Sequence, residues 1–143
     1  MDYLKVLVEE IHSVVVATVD ETGHPHTAVM DMMWEDGKTV YFLTADFKPL
    51  YKRLKEDGRV ALTGMTQGAR TMDRKSISLT GQVEWIGKEY LEKLLGANPY
   101  MYEIYPTEEG RSHLQVFRFK NSVGNFYDLT QLPPYQARFE IEG

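Results

Sequence analysis

The sequence predicts a mainly β domain, a small and partly open antiparallel barrel of about six strands with peripheral helices. Three β-forming runs between Ser13 and Thr44 are separated by the tight turns Asp20-Glu21-Thr22-Gly23 and Glu35-Asp36-Gly37-Lys38. Consecutive strands on such turns form an antiparallel meander. Further runs at Arg59 to Thr66, Lys75 to Ile86 and His113 to Lys120 have β character, and the longest alternates with period two. The helical stretches are short and lie between these runs, which suits a curled sheet with helices at its margins.

The elements follow in order. Asp2 is placed to N-cap a first helix, in which Leu4, Leu7, Val8 and Ile11 fall at i, i+3, i+4 and i+7. Val14 to Val19 is the first strand, His26 to Trp34 the second and Thr39 to Thr44 the third. The third feeds a short basic helix from about Pro49 to Asp57, with Leu50, Tyr51 and Leu54 on one face and Gly58 as its stop. Arg59 to Thr66 is a fourth strand, and Gln67 to Arg74 is a polar loop. In Lys75 to Ile86, Ile77, Leu79 and Val83 oppose Ser76, Ser78 and Gln82, and Gly81 marks a bulge or a close backbone approach. Lys88 to Leu95 has helical leucine spacing. Asn98-Pro99 reads as an N-cap and N1 proline opening a helix through Tyr105. His113 to Lys120 is the sixth strand, which Asn125 to Leu129 extends or follows. Pro133-Pro134 breaks the chain, and Ala137 to Ile141 is a candidate edge strand.

Composition narrows the function classes. With 143 residues the chain is long enough for one core, and it reads as a single domain. The formal charge of −5 is spread along the chain, which argues against a general nucleic-acid partner. There is no cysteine, so disulfides, Fe–S clusters and thiol catalysis are excluded, in keeping with a cytoplasmic protein. Asp2, Lys5, Glu9 and Glu10 are unlike a signal peptide, and no apolar run approaches the ~18 residues of a membrane span.

Candidate chemistry gathers at the third strand and its helix. Thr44 closes the strand, and Lys48, Lys52 and Arg53 surround the helix start. Free N–H groups, positive charge and a hydroxyl can grip a phosphate there. The same residues also read as a solvated basic face balanced by Glu56 and Asp57. His24 and His26 share a strand face, but no third ligand appears at metal spacing, so no metal is expected. Met30, Met32 and Met33 beside Trp34 read as core and dimer filling, or as a soft wall for a flat ring. Asp31 within that run is either outward or buried with a partner. No nucleophile–base pair is legible, since the adjacency of Ser112 and His113 says nothing of geometry.

The ordered set ATVDETGHPH, DGKTVYFLTA, LYKRLKEDGRVALTG and SISLTGQVEWIG resembles the pyridoxamine 5'-phosphate oxidase-like family of FMN-binding split barrels. The likeness runs from about Leu7 to Gly87 and more loosely beyond. It implies a six-stranded, Greek-key-like antiparallel split barrel, a homodimer, and FMN in a groove between the protomers. The phosphate would sit at the strand-to-helix junction of Leu43, Thr44, Lys48, Pro49 and Lys52. The backbone of Ala28, Val29 and Met30 would run along the flavin ring. Ser76, with Gln67 and Arg70, would reach the flavin from the second subunit.

The chain departs from the family pattern in two places. Members often place an Arg-Lys pair five and six residues after the Thr, where this chain has Pro49 and Leu50. Its lysines stand four and eight residues after Thr44, a spacing at which both can face one anion. Relatives of the oxidase carry an Arg where this chain has Ala28, and His26 on the same strand face is the candidate replacement. The C-terminal run from Ala137 to Gly143 sets one arginine between two glutamates, a poor clamp for a substrate phosphate. The resemblance therefore favours a nitroimidazole-reductase-like or general-stress-protein-like member over the vitamin-pathway oxidase. It implies an FMN-dependent oxidoreductase with unnamed small-molecule donor and acceptor. The alternative is a non-catalytic module holding flavin, haem or another flat ligand in the same groove, with His26 or His113 as candidate iron ligands.

Overall fold

The computed structural model describes residues 1–143. Eight strands form one antiparallel sheet: β1 (Ser13–Val19), β2 (Pro25–Asp31), β3 (Trp34–Glu35), β4 (Val40–Ala45), β5 (Arg59–Met65), β6 (Lys75–Gly87), β7 (Leu114–Asp128) and β8 (Tyr135–Ile141). Their order is β2-β1-β5-β6-β7-β4-β3, and β8 also pairs with β7. The expected class is thus found, with eight strands instead of six. β2 stops at Asp31 rather than Trp34, because the chain bends between two partners. Met32 N donates to His12 O at 2.7 Å and Met33 N to Tyr41 O at 2.9 Å. Trp34 and Glu35 then start a separate strand on β4. The sixth predicted strand and its uncertain extension are one strand of 15 residues. The first part of β7 pairs with β4 and its last part with β8.

The sheet is covered on both sides. Val14, Val16, Phe42, Leu62, Ile77, Leu79, Phe117 and Phe119 fill its inner face with Leu4, Leu7 and Ile11 of the N-terminal helix. That helix is capped by Asp2 and passes from α1 (Tyr3–Lys5) into a π-helical segment, Val6–Ile11. On the outer face, Tyr41, Leu43, Leu114 and Val116 pack under α3 (Leu91–Ala97) and α4 (Met101–Ile104), which supply Leu94, Leu95 and Met101. This second layer explains why every residue of β4 is buried, as in strands covered on both faces. Met30, Met32 and Met33 are buried within the single chain, so their core reading holds and none is left over to form an interface.

Local predictions were corrected where tertiary contacts took over. Asn98 is not an N-cap: its buried Nδ2 donates to Met33 O and Leu94 O, both at 2.8 Å. α4 accordingly begins only at Met101, and α3 starts at Leu91 rather than Lys88. A short α5 (Glu108–Arg111), capped by the Thr107 hydroxyl, was not foreseen. The loop 67–74 is pinned: Arg74 donates twice to Gly68 O at 3.0 and 2.9 Å, and Arg70 pairs with Asp73. Gly81 serves both expected purposes. The β6–β7 register shifts beside it, and a Cβ there would lie 2.2 Å from Ser122 Oγ.

Candidate functional site

The end of β4 runs directly into α2 (Pro49–Glu56), and this junction builds a cleft. Pro49 at N1 fixes the helix start, and Lys48 is the N-cap in extended conformation. Val29, Met30 and Asp31 of β2, Leu43 and Thr44 of β4, Lys48, Ile104 of α4 and Tyr105 after it surround a space of about 210 Å³. Five of the ten sequence-predicted positions meet here. Alternation along β4 turns Thr44 to the same side as Val40 and Phe42, which lie in the inner core. Thr44 is 3% exposed, and its Oγ1 is the one buried side-chain oxygen or nitrogen in the chain without a hydrogen-bond partner. Lys48 beside it makes no ion pair. An unpartnered hydroxyl donor and an unpaired ammonium line one cleft, a donor set whose chemistry suits an anionic oxygen ligand such as a phosphate.

His26, Pro49 and Lys52 open onto a second cleft of about 420 Å³, with Asp20 and Arg53. Lys48 and Lys52, expected to face one anion, therefore line different spaces. His26 is held by the β1–β2 turn, its Nε2 2.8 Å from Asp20 Oδ2. Asp20 also accepts from the Thr22 amide at 2.9 Å, the Thr22 hydroxyl at 2.7 Å and the His24 amide at 3.0 Å. The bonds from His26 and the Thr22 hydroxyl, with smaller help from the two amides, hold its carboxyl well below the usual range. Ala28 stands opposite Val16 and packs on the inner core, offering no donor.

Ser76 lies in a third cleft of about 500 Å³ with Val15, Val29, Met65 and Gln67, while Arg70 is outside it. Val29 lines both this cleft and the one at Thr44. Val15, Val29 and Met65 are 43%, 73% and 54% exposed. Strand register places Val15 opposite Val29 on one side and Thr63 on the other, so these residues share one outer sheet face.

One polar group beside the Thr44 cleft escaped the sequence reading. Asp31 Oδ2 accepts from Tyr100 OH at 2.7 Å, and Asp31 Oδ1 accepts from Ser13 Oγ at 2.6 Å. His12 Nε2 lies 2.7 Å from the same phenol oxygen. Burial, and then the Asp31 carboxylate, push the Tyr100 phenol upward. Asp31 is thus partnered rather than free.

The family described as pyridoxamine 5'-phosphate oxidase matches residues 2–127. The chain belongs to the pyridoxamine 5'-phosphate oxidase-like family. Solved structures share the fold of this family member. A NimC/NimA family protein from Clostridium acetobutylicum is 19% identical with a TM-score of 0.74, covering 97% of this chain and 93% of its own. A heme binding protein from Mycobacterium smegmatis is 13% identical with a TM-score of 0.74, covering 97% of this chain and 57% of its own. A pyridoxamine 5'-phosphate oxidase-related, FMN binding protein from Nostoc punctiforme is 9% identical with a TM-score of 0.64, covering 90% and 80%. At these identities the likeness is one of fold. No curated protein matches the chain.

Proposed function

We propose that this family member is a homodimeric FMN-binding flavoprotein and an FMN-dependent oxidoreductase acting on a small molecule. The reading is carried by the unpartnered, buried Thr44 hydroxyl beside the unpaired Lys48. Membership of a family with an FMN-binding neighbour supports it. Bound flavin supplies electron or hydride transfer at N5. The chain's own part is to bind and orient. Thr44 donates to the phosphate and Lys48 balances its charge. β2 ends the sheet, so along Ala28, Val29 and Met30 alternate backbone groups point away from β1 and can meet the edge of a flat ring. The exposed face of Val15, Val29 and Met65, flanked by Ser76 and Gln67, is the dimer surface and the second wall of the groove.

No protein-based covalent chemistry competes with this reading. Ser112 Oγ donates to Glu109 O while His113 Nδ1 pairs with Asp46 Oδ1 at 2.9 Å, so the two are not a nucleophile and base. Arg138 is bound to Glu140 at 2.7 Å. No helix is long and apolar enough to cross a membrane; a cytoplasmic location belongs to the proposed reading. A haem-binding module is the second reading. It is favoured by the fold of the Mycobacterium smegmatis protein and by the carboxylate behind His113, which leaves Nε2 free.

The test is an absorbance spectrum of the purified protein, followed by titration with FMN and riboflavin. A flavin band, or binding of added FMN about tenfold or more tighter than riboflavin, is expected from a charge-assisted contact worth about 1.5–3 kcal/mol. Equal affinities would remove the phosphate site. A Soret band would move the assignment to haem.

A further inference from the structure

We propose that Asp31 donates a proton into the Thr44 cleft and is recharged from His12 through the Tyr100 phenol; the proposal rests on the reductase reading above. Asp31 lines the Thr44 cleft, and His12 lines a separate cleft of about 440 Å³ with Glu9, Trp34 and Glu35. Tyr100 lines neither and joins the two. Its OH donates to Asp31 Oδ2 at 2.7 Å, and His12 Nε2 lies 2.7 Å from the same phenol oxygen. Side chains from the end of the N-terminal helix, the start of α4 and the end of β2 thus form one hydrogen-bonded line between two openings.

This line is complete only with one extra proton. His12 Nδ1 is 3.1 Å from Val8 O, a carbonyl that only accepts, so Nδ1 carries a hydrogen. The phenol has a single hydrogen to give. If that hydrogen goes to an ionised Asp31, Nε2 must carry one too, and His12 is a cation. If it goes to Nε2, the hydrogen between Tyr100 and Asp31 belongs to Asp31, and the carboxyl is neutral. A neutral His12 with an ionised Asp31 would leave two lone pairs facing each other at 2.7 Å. Met33 Sδ, 3.5 Å from the phenol oxygen, is a weak acceptor and does not relieve this. The two complete states have the same atoms and the same net charge, and they differ by two short proton hops. Burial and the Asp31 carboxylate push the phenol upward, so Tyr100 passes a proton on without giving up its own.

The backbone holds the three groups in place. His12 adopts φ 64° and ψ −65°, a costly conformation for a residue with a Cβ. Its amide donates to Leu7 O at 2.8 Å, and its carbonyl accepts from Met32 N at 2.7 Å, which fixes it between the helix and β2. Ser13 Oγ secures the other carboxylate oxygen of Asp31 at 2.6 Å. A small acceptor that takes up a hydride needs one proton to leave as a neutral product. The O–H bond at Asp31 breaks as that proton departs. Oδ2 then takes the phenol proton, the phenol oxygen takes the Nε2 proton, and water in the His12 cleft restores Nε2. Each turnover moves one proton from solvent to product, and no residue of the line is oxidised.

Two readouts on the full chain test the relay. Nitrogen-15 NMR of the His12 ring at neutral pH, without flavin, reads whether Nε2 carries a proton. The unmutated chain should show a protonated or proton-sharing Nε2. Asp31→Asn should show a bare Nε2, because an amide N–H can donate to the phenol and the phenol to a neutral imidazole, which keeps every bond and drops the extra proton. Identical Nε2 signals in the two proteins overturn the relay. The second readout is single-turnover reoxidation of the dithionite-reduced, FMN-loaded chain by a naphthoquinone. Asp31→Asn and Tyr100→Phe should slow it at least about tenfold without weakening FMN binding. Added formate should restore part of the rate to Asp31→Ala, which a merely structural role would not allow. Tyr102→Phe, at an exposed tyrosine of α4, should match the unmutated chain. Undiminished rates in Asp31→Asn and Tyr100→Phe overturn the donor role and leave the FMN reading standing. An unmutated chain that binds no FMN overturns both. If Asp31→Asn fails to fold, Tyr100→Phe decides: a full rate overturns the proposal, and a slowed rate with FMN retained supports it.

Discussion

Thr44 carries the proposed phosphate contact at the scale of a single residue. A buried hydroxyl without a partner costs about 1–3 kcal/mol, so the ligand-free chain bears a penalty at this position. Thr44→Val removes the penalty at nearly constant volume. The free protein should become more stable, by about 1 kcal/mol, and FMN should raise its melting temperature less than it does in the unmutated chain. Thermal unfolding with and without FMN reads both effects. A less stable free variant would show that the hydroxyl has a partner after all, and an unchanged FMN shift would remove Thr44 from the site. Lys48→Ala should erode the preference for FMN over riboflavin about tenfold without unfolding the protein, since Lys48 makes no ion pair. Titration with the two flavins measures it, and an unaltered ratio would place the phosphate elsewhere. That Thr44 and Lys48 line one cleft was legible because strand end and helix cap adjoin in sequence. The pairing of Lys48 with Lys52 failed for a physical reason. Lys48 has φ −89° and ψ 143°, outside the helix, so helical i, i+4 spacing does not apply to it. Asp31, Tyr100 and His12 were illegible as a group, because Tyr100 reaches Asp31 and His12 across 69 and 88 residues.

At the scale of elements, alternation and turn residues located the strands, and what they missed was set by other elements. β2 overran in the sequence reading because its apolar pattern continues through Met32 and Met33, where backbone bonds to His12 and Tyr41 turn the chain. β4 reads apolar throughout because helices far along the sequence cover its second face. The β1–β2 turn, by contrast, is fully local and carries a prediction. Asp20 gathers four hydrogen bonds, and its folded pKa is depressed. A depressed carboxyl contributes stability that is present above the unfolded Asp value of about 3.9 and is lost as pH falls through the still lower folded value. The turn should therefore hold through mildly acidic conditions and loosen only below about pH 3.9. Amide exchange of Thr22 and His24 should accelerate in that window relative to the pH trend of the remaining sheet. Asp20→Asn should remove the step and release His26. Exchange that rises at the same pH in both proteins would assign the acid response to another group.

At the scale of the molecule, the methionines that the sequence offered for a dimer interface are not free to form one. Met30, Met32 and Met33 are needed inside one chain, and the exposed Trp85 has Lys55 over its ring. One exposed apolar patch is Val15, Val29 and Met65 on the outer face of β1, β2 and β5, which a linear reading cannot assemble because β5 joins β1 only in the sheet. Burying this face in a second copy also brings Ser76 and Gln67 to the interface, next to Val29, which itself walls the Thr44 cleft. Assembly and cofactor binding should thus be coupled. Light scattering over a concentration series should give twice the 16.5 kDa monomer mass, and a monomer at every concentration would sink the shared groove. Met65→Glu tests the coupling, because Met65 lines the Ser76 cleft and not the Thr44 cleft. A glutamate there places like charges across the interface and should yield a folded monomer. That monomer should bind FMN at least tenfold more weakly, with Thr44 and Lys48 both intact. A Met65→Glu monomer that holds FMN as tightly as the dimer would show that one protomer makes the whole site.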